Sequence, residues 1–146
     1  MDLKLGVTKA DEAYGEKAWN VVGHTYTPKL LSDHAFLWHA VIPADSFVPP
    51  HIHPCQDEWI YVLDGQLEVE FGEDKHTAGA GDTIRMPKGV AHGIFNRSGA
   101  TATCTFGVAP AGKLYDLFVA LDGVTDPGEL VRLSAEHDVN FLPPPQ

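Results

Sequence analysis

The chain has 146 residues, of which 44% are hydrophobic, and this size and composition predict one globular domain with a buried core. Its formal net charge of −10 argues against a nucleic-acid partner, because phosphate contacts need clustered Lys and Arg. The N-terminal residues carry no apolar signal-peptide core and the chain has no apolar run of about 18 residues. We therefore expect no membrane partner. Two cysteines, Cys55 and Cys104, are too few for a disulfide framework, so the expected setting is cytoplasmic.

The first part of the chain predicts an arm followed by β-strands. Residues 1–16 are polar and without a clear period, which is typical of a loosely held arm, and we place the barrel at 17–109. Residues 19–27 are rich in β-formers and predict one strand, with a turn or short strand at 28–33. Residues 35–42 predict a strand that is apolar on both faces, which indicates burial on both sides, as a second subunit would provide.

Three histidines and one glutamate in the middle of the chain have the spacing of metal ligands carried on strands. His51 and His53 are two residues apart, so an extended segment turns both side chains to one face. Glu58 opens the next apolar run, and His92 stands after a Gly- and Pro-rich turn at the head of a later strand. The sequence therefore predicts a metal site inside a curled sheet, the alternatives being coincidence or a site that has lost its metal.

The remaining strands of the predicted sheet are short. Asp64 and Gly65 are typical of a hairpin turn, and residues 66–71 alternate between apolar and polar side chains. Further short apolar segments follow up to residue 106, with Gly, Pro and Asp between them and no helical period. This pattern predicts an all-β domain folded as a small jelly-roll barrel.

The pattern changes at Pro110, and residues 110–146 predict a helical and proline-rich tail of the same domain. Apolar residues at 114, 117, 118 and 121 have helical spacing. Asp126 followed by Pro127 predicts the start of a second helix that runs to about residue 137. The final residues, from Asn140 through three prolines, are stiff and apolar.

Two spaced motifs in this chain resemble those of the cupin superfamily. Asp45 stands where the first motif usually has a glycine, which affects the turn before the ligands but no ligand. The helices and proline tail after the barrel resemble the single-domain, quercetinase-like subset of cupins. The resemblance implies a jelly-roll (double-stranded β-helix) barrel with two short C-terminal helices, whose tail packs across or near the barrel mouth. The matching residues are His51, His53, Glu58 and Gly65 in the first motif, and Gly81, Pro87, Gly89, His92 and Asn96 in the second.

Three imidazoles and one carboxylate predict one divalent metal ion per chain, namely Fe, Mn, Ni, Co or Zn, with open coordination positions. Glu58 is either a fourth ligand only or also the catalytic base that accepts a proton from an enolic hydroxyl. The expected partner is a small-molecule substrate held in a mostly apolar pocket. The candidate pocket residues are Phe36, Trp38, Ile60, Val62, Met86, Ile94, Phe106 and Phe118.

Three functions are compatible with these residues. The leading hypothesis, implied by the resemblance, is a metal-dependent dioxygenase similar to quercetinases that acts on an aromatic or enolic small molecule. The second is a non-redox cyclase or isomerase similar to polyketide cyclases, and the third is a small-molecule-binding cupin without turnover. By strand parity with Glu58, Trp59 and Tyr61 point outward on one strand, so we expect a homodimer that covers them.

Overall fold

A computed structural model describes residues 1–143 and shows two antiparallel β-sheets, with two helices between the last two strands. The jelly-roll prediction is confirmed. The strands are β1 Trp19–Val21, β2 His24–Leu31, β3 Phe36–Ile42, β4 Phe47–Ile52, β5 Asp57–Asp64, β6 Gln66–Phe71, β7 Asp74–Gly79, β8 Thr83–Met86, β9 His92–Phe95, β10 Ala102–Ala109 and β11 Asn140–Phe141. The helices are α1 Leu114–Leu121 and α2 Pro127–Glu136.

The first sheet has the strand order β1-β2-β3-β10-β5-β8, and the second has the order β11-β4-β9-β6-β7. The inner faces of the two sheets enclose the core. In the first sheet, paired residues on neighbouring strands form rows of inward-pointing side chains across the sheet. One row contains Trp38, Phe106 and Ile60, which lie opposite one another on β3, β10 and β5. The adjacent row contains Glu58, opposite Val108 on β10. The predicted glutamate therefore points inward from β5, which has a neighbouring strand on each side.

The prediction of one strand over residues 19–27 is wrong, because a turn at Val22 and Gly23 divides it into β1 and β2. Both turn residues have positive φ, 49° and 85°, as tight hairpin turns require. Valine rarely adopts this conformation, so a valine at position 22 does not indicate a turn in the sequence. The strand that follows continues through Pro28 to Leu31 with a shift of register.

Both C-terminal helices were predicted, and their positions are confirmed. In α1 the residues at the four predicted apolar positions, 114, 117, 118 and 121, are buried. Asp126 caps α2 by accepting a hydrogen bond from the backbone N–H of Glu129 at 2.8 Å, and Pro127 occupies the first turn. No helix in residues 1–143 is long and apolar enough to cross a membrane.

The predicted arm is hydrogen-bonded to β2. Lys29 of β2 holds it by donating from Nζ to the backbone carbonyls of Lys9, Ala10 and Glu12 at 2.9, 3.2 and 2.5 Å. At the other end of the chain, β11 pairs with β4 and sets Phe141 opposite His51. The part of the predicted tail in residues 140–143 thus runs beside the ligand-bearing strand, and residues 144–146 lie outside the described part of the chain.

Candidate metal centre

The structure brings the four predicted ligands together in the interior. His51 lies near the end of β4, His53 just beyond it, Glu58 on β5 and His92 at the start of β9. All four are at most 5% exposed, and one ligand atom from each lies within 4.8 Å of the others. We call these residues the histidine–glutamate cluster. Pairing of β4 with β9 sets His51 directly opposite His92, which explains how residues far apart in sequence converge.

Each imidazole of the cluster has a hydrogen-bond acceptor at its Nδ1 atom. A ring nitrogen that donates to a carbonyl carries the proton, so the Nε2 lone pair of a neutral ring stays free for a metal ion. These tautomers follow from the hydrogen-bond network. The pairs are His51 Nδ1 with the Pro49 carbonyl at 2.8 Å, His53 Nδ1 with Gln56 Oε1 at 2.9 Å, and His92 Nδ1 with the Val90 carbonyl at 3.2 Å.

The charges of the cluster suit a cation. His92 Nε2 lies 2.9 Å and His53 Nε2 3.7 Å from Glu58 Oε1. A lone pair facing a carboxylate at such distances is unfavourable unless a proton or a metal ion lies between them. Burial raises the pKa of Glu58, but the neighbouring His53, His92 and His51 outweigh it and lower that pKa to about 2. Burial, with His92 beside it, lowers the pKa of His51 to about 3.

At neutral pH these shifts leave His51 neutral and Glu58 ionised, which are the protonation states that metal binding needs. Three imidazole nitrogens and one carboxylate, without a thiolate, suit divalent Fe, Mn, Ni, Co or Zn. The residues present therefore fit the predicted metal ion.

Gln56, which belongs to neither cupin motif, fixes the orientation of His53. Its side chain donates from Nε2 to the carbonyls of Pro110 and Ala111 at 3.0 and 2.7 Å. Because both donor bonds fix the amide, its oxygen is turned toward His53. The three-residue separation from a candidate ligand was the only sign of this role in the sequence.

Replacing Gln56 by leucine is expected to weaken metal binding by about 10–100-fold, the usual effect of losing a partner that orients a ligand. Leucine fills a similar volume but leaves His53 Nδ1 without an acceptor. Competition with a chromogenic chelator measures the affinity. Gln66→Leu, at an exposed position on β6, serves as the matched control. Equal affinities of Gln56→Leu and the wild type would show that Gln56 does not position His53.

A cavity of about 60 Å³ borders the cluster. Its wall includes His51, His53 and Glu58, together with four of the predicted pocket residues, Trp38, Ile94, Phe106 and Phe118. The other four predicted pocket residues, Phe36, Ile60, Val62 and Met86, do not line it and are at most 1% exposed in the packed core. Strand parity identifies inward side chains, but which of them border a void depends on what packs opposite.

Much of the cavity wall comes from the end of the chain. We call α1, α2 and the segment from Val139 to Phe141 the C-terminal cap, because together they form a large part of the cavity wall. The ring of Phe141 lies 5.4 Å from that of His51, so the cap reaches the cluster itself. The helical spacing in the sequence indicated a buried face on α1 but not what it would cover. The cap residues in the wall are Leu114, Leu117, Phe118, Leu121, Leu130, Ser134, Val139 and Phe141.

Beyond the cluster lies a hydrogen-bonded chain that runs from the buried Tyr26, another cavity-lining residue, to the half-buried Ser46. Ser46 Oγ donates to the Pro43 carbonyl at 2.6 Å, so it accepts from His24 Nε2 at 3.0 Å. His24 Nδ1 then accepts from the Tyr26 hydroxyl at 3.2 Å. Burial lowers the pKa of His24 to about 4 and raises that of Tyr26. His24 is thus a neutral core histidine.

Acidification from pH 6.5 to about 4 is expected to destabilise the metal-free protein through His24. In this range the unfolded chain binds a proton at His24 that the folded chain does not, so folding weakens as pH falls. Through His24 alone, the free energy of unfolding should be about 3 kcal/mol lower near pH 4 than at neutral pH. Urea unfolding at a series of pH values should give a smaller pH slope for His24→Gln than for the wild type. His76→Gln, at an exposed histidine, is the control. Equal pH slopes in all three proteins would show that His24 is not responsible for the loss of stability in acid.

Comparison with known proteins agrees with this geometry. Residues 38–107 match the family model described as a cupin domain. The chain is 37% identical over 122 residues to germin-like protein 9-2 of Oryza sativa subsp. japonica, covering 71% of this chain and 55% of that protein. It is 27% identical over 75 residues to tetracenomycin polyketide synthase protein TcmJ of Streptomyces glaucescens, covering 51% of this chain and 50% of that protein. The match thus spans about half the length of each relative.

The fold is also similar to the crystal structure of an RmlC-like cupin from Shewanella frigidimarina. The TM-score is 0.68 at 15% sequence identity, over 79% of this chain and 99% of that one. At such identity the likeness concerns the fold alone. The cupin-domain match, the two-sheet jelly roll and the buried histidine–glutamate cluster together lead to one conclusion: residues 38–107 of this chain form a cupin domain.

Proposed function

We propose that this protein is a metal-dependent dioxygenase that acts on a small enolic molecule, similar in kind to the quercetinase-like cupins. The observation that carries the proposal is the buried histidine–glutamate cluster, which borders a mostly apolar cavity. Such a cavity brings a bound molecule next to the cluster and excludes water from it. A purely structural metal site would have no need of an adjoining cavity.

The size of the cavity favours a small substrate over a flavonol. About 60 Å³ accommodates roughly five water molecules, since each needs about 10–15 Å³ on this measure. Pockets for drug-sized ligands are about 300–1,000 Å³. A molecule the size of a short diketone fits with little adjustment, whereas a multi-ring aromatic substrate would require the C-terminal cap to move.

The bound metal ion would supply Lewis acidity and, for a redox-active metal, access to O₂ chemistry. The protein's own part is to orient the ligands through Nδ1 and to exclude water with the apolar wall. A carboxylate whose pKa is lowered by neighbouring imidazoles is a good anionic ligand and a weak base. Glu58 would therefore serve first as a ligand, and it would accept the enol proton only if the bound metal ion made the substrate hydroxyl more acidic.

Oxygen uptake tests the proposal. Protein reconstituted separately with Fe²⁺, Mn²⁺, Ni²⁺ or Co²⁺ is mixed in air with 2,4-pentanedione or with a flavonol. We expect O₂ consumption with at least one metal, faster for the diketone than for the flavonol, and none with metal-free protein. Absence of metal-dependent O₂ uptake with every metal and both compounds would rule out the dioxygenase.

The second candidate is a cyclase or isomerase that uses the metal ion without O₂. The similarity to TcmJ, a polyketide synthase protein by name, favours it. Turnover of an enolisable polyketone by the Zn²⁺ form under nitrogen would support the cyclase or isomerase and argue against the dioxygenase. If the protein binds these compounds tightly in the presence of metal but turns over none of them in air or under nitrogen, the remaining function is that of a small-molecule-binding protein without catalysis.

We also expect a homodimer through the outer face of β5. Ile60 and Val62 point inward as parity predicts, while Tyr61 and Leu63 are 44% and 45% exposed beside the half-buried Trp59. Light scattering at micromolar concentration should give twice the chain mass of 15.8 kDa. Tyr61→Lys places a charge in the contact and should shift the mass toward that of one chain. A wild-type mass of one chain would contradict the homodimer.

A further inference from the structure

The cavity beside the histidine–glutamate cluster has a larger neighbour at the surface. This second space is an open groove of about 560 Å³, lined by residues of segments 20–23 and 123–130, and we call it the outer groove. Among residues 1–143, Val22 and Leu130 alone line both the outer groove and the cavity. These two side chains therefore form the wall that separates the cavity from the outer groove.

Val22 adopts a strained backbone conformation in this wall. Its φ of 49° lies in the left-handed region, which β-branched residues rarely adopt. The side chain is half-buried and packs against the core. Strained residues of this kind occur mainly at binding and active sites, where the surrounding structure holds them. The strain therefore points to a role for this side chain in the wall.

The backbone on both sides of the wall is fixed by hydrogen bonds. The N–H of Asn20 donates to Asp122 Oδ1 at 2.8 Å, and the N–H of Gly123 donates to the Asn20 carbonyl at 3.0 Å. In α2, the N–H of Leu130 donates to the Asp126 carbonyl at 3.0 Å. Since both side chains of the wall are apolar, they can part by rotation about side-chain bonds without breaking a hydrogen bond.

The cavity wall has another half-buried part, formed by Val48, Pro49 and Phe141. Phe141 belongs to β11, which pairs with β4, and the N–H of Leu142 donates to the Pro50 carbonyl at 3.0 Å. Opening the cavity on this side would break backbone hydrogen bonds. Opening it toward the outer groove needs only the rotation of side chains.

We propose that small molecules enter the cavity from the outer groove between Val22 and Leu130, with the Leu130 side chain as the movable gate. The inference rests on the proposed function, which requires a small molecule to reach the cluster. Val22 is branched at Cβ and has few rotamers, whereas Leu130 can rotate about two side-chain bonds. Among residues 1–143 no charged side chain lines the outer groove. The entrance therefore suits narrow, neutral molecules, because a charged one would lose its water between two apolar groups.

Stopped-flow kinetics tests the entrance without turnover. Protein loaded with Co²⁺, whose visible absorption changes when a new ligand binds, is mixed under nitrogen with 2,4-pentanedione. Val22→Gly and Leu130→Ala each remove part of the wall, and glycine adopts a positive φ without strain. Both variants should raise the association and dissociation rate constants by about tenfold, because a gate limits both steps, and change Kd by less than about threefold.

Leu130→Trp is the opposite change, since a larger side chain narrows the entrance. It should lower both rate constants by about tenfold at a similar Kd. Leu133→Ala is the matched control, because Leu133 is half-buried on the same helix but lines neither the cavity nor the groove, and it should keep the wild-type rates. Equal rate constants in the wild type and all three wall variants would overturn this inference alone. Absence of any Co²⁺-dependent binding of the diketone would overturn it together with the proposed function.

Discussion

Replacing His92 by alanine is expected to weaken metal binding by at least about a hundredfold and to abolish metal-dependent activity. His92 is 1% exposed, and its Nε2 is the nitrogen nearest to Glu58 Oε1, at 2.9 Å. Its loss removes one of the four predicted ligands, and we expect a larger effect than the 10–100-fold typical of an orienting partner. Metal content after gel filtration and chelator competition measure the effect.

Thermal unfolding gives a second readout of the same variant. A metal ion that binds only the folded chain stabilises it by about 4 kcal/mol at 1,000 times its dissociation constant. Metal should therefore raise the Tm of the wild type by roughly 10 °C and that of His92→Ala hardly at all. His34→Ala, at an exposed histidine, should behave as the wild type. Equal metal-induced shifts in the wild type and His92→Ala would exclude His92 as a ligand.

The sequence predicted that these four residues would come together because the geometry that joins them is largely local. His51 and His53 share a face by the two-residue period of an extended chain, and strand parity turns Glu58 inward. The approach of His92 depends on the pairing of β4 with β9. That pairing joins segments far apart in the chain. Only the resemblance to the second cupin motif indicated that His92 would reach the other three residues.

The cavity and the orienting contacts were harder to predict because they depend on contacts between distant parts of the chain. Gln56 acts through carbonyls more than 50 residues later, at Pro110 and Ala111. Phe36 and Phe106 both point inward, but only Phe106 borders the cavity, since Phe36 is covered by Trp19, Trp38, Tyr115 and Phe118. Periodicity determines which face is buried, and the packing of other elements determines where space remains.

Phe118 of the C-terminal cap joins the stability of the fold to the size of the cavity. Its ring lies 5.0 Å from those of Tyr26 and Trp38 and 5.9 Å from those of Trp19 and Phe36, and it lines the cavity. Phe118→Ala is expected to lower the free energy of unfolding by about 3–5 kcal/mol, since the lost ring leaves a void among rigid aromatic groups. For a chain of this length the Tm should fall by roughly 10–15 °C.

The same substitution should widen the range of substrates, because the void adjoins the existing cavity. Phe118→Ala is expected to accept larger enols, including flavonols, better relative to 2,4-pentanedione than the wild type does. Val119→Ala is the matched control, since this neighbour on α1 is 53% exposed and its loss should change stability by no more than about 0.5 kcal/mol. Urea unfolding and the ratio of kcat/KM for the two substrates measure both effects. A large loss of stability with an unchanged ratio would show that the ring packs the cap without limiting substrate size, and the volume argument for a small substrate would fail.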